Sequence, residues 1–121
     1  MKIVVLVVEG VFDTGLSTVL DALTTANELA DLIGSPGPRF HVSLVGVRSQ
    51  VRSAQGLSVP VTAVAGCPTA DCVIVPAIGC KMPGPLQQAL ARDDVTEAAS
   101  VLRDWAAAGT RIGRASCRER V

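Results

Sequence analysis

Runs of apolar residues, read by length and period, predict the elements of this chain. Lys2–Val8 (KIVVLVV) is continuous, rich in β-branched residues and too short for a helix, so it reads as a strand buried on both faces, the habit of a parallel sheet. After a Glu9-Gly10 turn, Asp13 or Thr14 can cap a helix whose apolar positions Leu16, Val19, Leu20, Leu23, Ala26, Leu29 and Ala30 follow the helical period, until Gly34-Ser35-Pro36-Gly37-Pro38 stops it. Phe40–Val47 (FHVSLVGV) alternates, which sets His41 and Ser43 on the face opposite Phe40, Val42 and Leu44 of a second strand. His41 there reads as a solvated or hydrogen-bonded strand residue rather than a ligand.

Gln50–Thr62 holds short β-prone pieces broken by Gly56 and Pro60, which predicts a hairpin or edge strands. Asp71–Pro76 (DCVIVP) repeats the buried-strand pattern and leads into the loop Ala77–Pro83. Gly84–Ala91 offers a short helix. Asp93 or Asp94 can cap a longer one through Val95, Ala98, Val101, Leu102, Trp105 and Ala106, ended by Gly109, and Thr110–Ile112 opens another strand. Strand, helix, strand, edge hairpin, strand, helix, strand is the order of an α/β fold: a flavodoxin-like, doubly wound, mostly parallel sheet with helices on both faces. Loops at the carboxyl ends of such strands are where these sheets bind ligands.

Composition narrows the functions. A hydrophobic content of 49% in 121 residues supports one sizeable core. Eleven basic residues against eleven acidic ones leave no broad positive field for nucleic acid or an anionic membrane, and Phe12, Phe40 and Trp105 are too few to stack bases. The run Ile3–Val8 is far shorter than a membrane span and no cleavage pattern follows it, so the expected compartment is the cytoplasm, with no membrane partner. Cys67, Cys72, Cys80 and Cys117 contain no Cys-x-x-Cys pair, and His41 is the single histidine, so no metal site and no cofactor is expected, the thiols being buried or loop residues in a reducing compartment.

The character of the chain changes after Ile112. Three arginines fall within residues 113–121, and Ile112–Val121 (IGRASCRERV) matches one reading frame of a common DNA-sequencing ligation adaptor. Two parts are therefore expected: a partial domain over 1–112, incomplete at its carboxyl end, and a non-native tail over 113–121. Setting the tail aside leaves eight basic against ten acidic residues, a net charge near −2.

The segments KIVVLVVEGVFDTGLSTVLDALTTANELA, FHVSLVGV, VRSAQGLSVPV and DCVIVPAIGCKMPGPLQQALA, in this order and at these separations, resemble the ThiJ/PfpI superfamily, also called class I glutamine-amidotransferase-like domains, over residues 2–112. Within it the chain looks most like the amino-terminal domain of AraC-type transcriptional regulators, a likeness carried by Val51–Leu57 and Asp71–Ala77. Enzymes of the superfamily carry a nucleophilic cysteine on a strained turn after the next strand, which would follow Ile112 directly. Cys117 stands near that place, but Ser116 and Arg118 flank it instead of the family's Cys-Thr-Gly, so no catalytic residue is assigned.

The resemblance implies a ligand pocket. Asp13 falls where related hydratases and hydrolases have a pocket carboxylate, with helix capping as the competing role. Gly10 and Gly79 would admit a small ligand close to the backbone, although turn chemistry explains both equally well. Cys80 and Lys81 would face the same pocket, Lys81 either pairing with an anionic ligand or standing solvated, whereas Cys67 and Cys72 read as filler. Two functions follow. One is a non-catalytic ligand-sensing or dimer-forming domain of an AraC-type regulator, with a small-molecule effector, a homodimeric parent and DNA contacts from a carboxyl-terminal region. The other is a cysteine-dependent enzyme, amidase, isonitrile-hydratase-like or glyoxalase-like. Nucleotide binding is disfavoured, because Glu9–Gly15 lacks both glycine-rich phosphate patterns.

Overall fold

Alternation within the first apolar run decides the architecture. In the computed structural model, which describes residues 1–67 and 69–115, strand β1 is Lys2–Leu6, and every residue from Ile3 to Val8 is buried. Successive side chains point to opposite faces. Ile3, Val5 and Val7 therefore join one cluster with Leu16, while Val4, Leu6 and Val8 join another with Val45, Val73 and Ala98.

Helix α1, Asp13–Leu32, covers the first cluster with Leu16, Val19, Leu20 and Leu23. The capping role for Asp13 or Thr14 is corrected here. Phe12 is the N-cap, no side chain caps it, and the Asp13 carboxylate is bonded elsewhere, as described below. At the far end, Ser35 N–H donates to Ala30 O at 2.9 Å and Gly34 N–H to Asp31 O at 3.2 Å, with Gly34 at φ +66°, a Schellman stop at the expected glycine. Ala26 and Leu29, expected to face the core, are exposed. A 20-residue helix runs about 30 Å whereas a five-residue strand spans about 17 Å, so the last turns overshoot the sheet.

Strand β2, His41–Gly46, runs parallel to β1 in register from Lys2 opposite His41 to Leu6 opposite Val45. Phe40 and Leu44 pack on the α1 side, Val45 lies on the other, and His41 and Ser43 are exposed. The Asn27 amide fixes the entry to β2 by donating to Phe40 O and accepting from Phe40 N–H, both at 2.8 Å.

The Gln50–Thr62 stretch makes both structures that the sequence offered. Strands β3, Val51–Arg52, and β4, Ser58–Val59, form an antiparallel hairpin separate from the main sheet. Strand β5, Thr62–Ala63, then pairs in parallel with β2 as an edge.

On the other side of β1 lie β6, Cys72–Pro76, and β7, Arg111–Ala115, giving a parallel sheet of order β5-β2-β1-β6-β7. Between them come α2, Pro83–Leu90, and α3, Asp93–Ala107, the latter covering the second cluster with Val95, Ala98, Leu102 and Trp105. Neither Asp93 nor Asp94 caps α3. Arg92 is its N-cap and the Asp94 side chain turns to Arg92 instead, both acids remaining in the first turn, where the helix dipole favours them. Strand β7 continues through Ala115, so Gly113, Arg114 and Ala115 stand opposite Ile74, Val75 and Pro76; Cys117 lies outside the described residues.

With α1 on one face and α3 on the other, this is the expected flavodoxin-like α/β sheet. The chain moves one way from β1 to β2 and the opposite way from β6 to β7, so the topological switch point lies at the carboxyl ends of β1 and β6. Val5, fully buried at the middle of β1, should tolerate truncation poorly. Val5→Ala is expected to lower stability by about 2 kcal/mol in urea unfolding, against a change within about 0.5 kcal/mol for Leu29→Ala on the overshooting turn.

Candidate functional site

Three loops and one side chain meet at the switch point. The segment Glu9–Asp13, leaving β1, is tied on both flanks. On the hairpin side, Gly10 N–H donates to Arg52 O at 2.8 Å, Arg52 N–H to the Glu9 Oε1 at 3.0 Å, and Ala54 N–H to Val11 O at 2.9 Å. On the β6 side, Phe12 N–H donates to Ala77 O and Gly79 N–H to Gly10 O, both at 2.8 Å.

Internal packing accounts for both glycines. Gly10 sits at φ +80°, a region that L side chains rarely adopt. At Gly79 a Cβ would lie 2.5 Å from the Ala54 Cβ and 3.3 Å from Gly10 O, so only glycine lets the hairpin turn and the post-β6 loop meet. The amide hydrogens of both are used within the protein.

Asp13 occupies the first turn of α1 beneath this junction. Its Oδ1 accepts the Gln55 N–H at 3.1 Å, whereas its Oδ2 is closed off from solvent and has no hydrogen-bond partner among the described residues. A carboxylate oxygen without a donor in such a place is costly, and native proteins keep few of them. Cys80 is half-buried and Lys81 exposed in the chain following Gly79. The structure thus joins Gly10 and Gly79 by a direct bond and ties Asp13 to the hairpin tip that meets Gly79, and it shows no contact that brings Cys80 or Lys81 to them among the described residues.

Sequence reading missed Arg92. Its Nε and Nη2 reach Asp94 Oδ1 and Oδ2 at 3.0 and 3.2 Å, and Nη2 also donates to Glu9 O at 2.7 Å. Asp94 is buried while the Arg92 side chain is 35% exposed, so the pair is a half-buried two-point bridge that straps the start of α3 to the turn after β1. The Arg-Asp-Asp string at the helix start hints at the bridge to Asp94, but the 83-residue step to Glu9 leaves no local trace.

Two concavities are formed by other residues than Asp13, Gly79, Cys80 and Lys81. One of about 440 Å³ runs along the hairpin between Ser49, Gln50, Arg52 and Ser58, and another of about 220 Å³ lies between Cys67 and Trp105. Burial pushes the Cys67 thiol above its usual range, which lowers its reactivity. Among the described residues no group of three His, Cys, Asp or Glu could hold a metal ion, and no helix is long and apolar enough to cross a membrane.

The Arg92 strap should carry unequal weight at its two ends. Arg92→Met leaves the Asp94 carboxylate buried without its partner and is expected to cost about 2 kcal/mol. Asp94→Asn leaves a neutral amide and spares the bond to Glu9, costing about 1 kcal/mol or less, both read from chemical denaturation.

No family model matches the chain, and no curated protein matches its sequence. Among solved structures, it is similar to an AraC family transcriptional regulator from Pseudomonas putida, with a TM-score of 0.68 and 22% identity over 93% of this chain and 62% of that one. It is also similar to a presumed transcriptional regulator from Vibrio parahaemolyticus, with a TM-score of 0.64 and 21% identity over 93% of this chain and 54% of that one. A presumed protease I from Bacteroides thetaiotaomicron gives a TM-score of 0.60 and 18% identity over 93% and 61%. The chain therefore spans less than two thirds of the length of each of these proteins, and at such identities it shares their fold.

Proposed function

We propose that the chain is the ligand-sensing and dimer-forming domain of an AraC-type transcriptional regulator, a homodimer of the cytoplasm whose DNA contacts come from a region carboxyl-terminal to it. The observation that carries the reading is the Asp13 carboxylate at the switch point, one oxygen held by Gln55 N–H and the other without a partner among the described residues. A small molecule presenting an N–H or O–H group would satisfy that oxygen, and the switch point is where sheets of this topology bind ligands. The fold shared with the Pseudomonas putida regulator over 93% of the chain supports the same assignment. Sensing needs no nucleophile, so the domain is non-catalytic in this reading, with Gly10, Gly79, Cys80 and Lys81 framing the effector.

A second reading is a cysteine-dependent enzyme of the ThiJ/PfpI superfamily, amidase, isonitrile-hydratase-like or glyoxalase-like. The same Asp13 oxygen favours it, since a carboxylate oxygen without a donor among the described residues can take a proton.

Reading the coding DNA past codon 112 separates the two: a pair of helix-turn-helix units supports the regulator, and a Cys-Thr-Gly elbow followed by an early stop supports the enzyme. For the chain itself, no turnover of amides or methylglyoxal is expected. Small molecules that raise its melting temperature should lose that effect in Asp13→Asn; turnover that disappears in Cys117→Ala would reject the sensing assignment.

A further inference from the structure

We propose that the hairpin tip, Ala54–Leu57, is a latch over Asp13, closed in the absence of ligand and opened to admit a donor to the unpartnered oxygen. The inference rests on the reading of Asp13 as the ligand-facing group and adds how access to it is controlled.

A tension in the geometry motivates it. Asp13 Oδ2 has no partner among the described residues yet is sealed from solvent, so a ligand cannot reach it without some element moving. The hairpin tip is the segment bonded to the same carboxylate, through Gln55 N–H to Oδ1 at 3.1 Å. One further bond, Ala54 N–H to Val11 O at 2.9 Å, draws it onto the β1 exit, and the close seat of Ala54 against Gly79 exists because Gly79 has no side chain.

The tip can move without dismantling the core. The hairpin base is anchored, with Val51 and Val59 buried in the first cluster and Ser53 buried beside Val11. Beyond Ser53 the residues are exposed, including Leu57 at 64%, and contribute nothing to either cluster. The tip also closes on itself: Ser53 N–H donates to Leu57 O at 2.8 Å, Leu57 N–H donates to Ser53 Oγ at 3.1 Å, and Gly56 turns the chain at φ +83°. A unit of this kind, held by two hydrogen bonds and no buried apolar contact, opens at a small fraction of the global unfolding free energy. The β3–β4 pair belongs to no larger sheet, which removes the ladder that would otherwise stiffen it.

Native-state hydrogen exchange tests the latch on the unliganded chain. The Ala54 and Gln55 amides are expected to exchange through a local, denaturant-independent opening, at least about 100-fold faster than Val5 and Val73 at the sheet centre. Asp13→Ala removes the acceptor and should speed Gln55 about fivefold, the equivalent of one ordinary hydrogen bond. Asp13→Asn keeps a carbonyl oxygen at the same place and should restore most of the protection, an outcome that separates the latch bond from general loosening. Exchange of Ala54 and Gln55 only with global unfolding, or a Gln55 rate untouched by Asp13→Ala in a folded variant, overturns the proposal. Since no ligand enters the measurement, such a result would leave the sensing assignment standing, while failure to find any effector would leave a fast tip unexplained by sensing but still observed.

Discussion

A strand that is apolar on both faces has one stable position in a layered α/β molecule, between neighbouring strands and beneath a helix layer on each side. Ile3, Val5 and Val7 need α1, and Val4, Leu6 and Val8 need α3, so β1 becomes the pivot from which β2 is laid to one side and β6 to the other. That reversal puts the topological switch point at the carboxyl ends of β1 and β6. Its chemistry follows from whichever residues leave those two strands, here Glu9–Asp13 and Ala77–Lys81. The position of the candidate site is thus a consequence of six buried residues that take no part in it.

The segment at this junction is held largely by backbone bonds. Gly10 bonds Arg52 on one flank and Gly79 on the other, and Val11 and Phe12 repeat the pattern one step further along with Ala54 and Ala77. A segment so tied cannot adapt to a ligand by shifting as a whole, which leaves adjustment to the parts with fewer anchors. Of the charged groups nearby, Arg92 is already committed to Asp94 and the Glu9 carbonyl, and the Glu9 carboxylate accepts from Arg52 N–H. Asp13 Oδ2 is a buried oxygen with no partner among the described residues.

Local patterns carried the fold well because its signals are short-ranged. The period of two in FHVSLVGV separated Phe40 and Leu44 from His41 and Ser43, although Val42, placed with the first pair, is exposed, and Gly34 and Gly109 stopped their helices with backbone at φ +66° and +92°. Where the reading failed, something non-local intervened. The helical period ran on through Ala26 and Leu29 although the sheet beneath them had ended. Asp13 and Asp94 are both good capping residues by type, yet each found a better partner, Gln55 N–H at a separation of 42 residues and the Arg92 guanidinium. The two-residue strand β5 was indistinct because its assignment depends on β2 being there to pair with.

Of the two roles given to Asp13, cap or pocket group, the bond it makes excludes the first. A capping carboxylate spends its oxygens on the amides of its own helix, and its loss costs helix stability alone. Asp13 spends one on the hairpin, and the other has no partner among the described residues, so its loss would loosen a distant segment while the helix, already started by Phe12, persists. Retaining an unsatisfied oxygen is unfavourable for folding, and a residue type with no such liability, alanine for instance, would serve equally well in a first helical turn. A carboxylate at the switch point, with one oxygen bonded to the hairpin and the other buried without a partner among the described residues, carries a cost that helix capping does not explain.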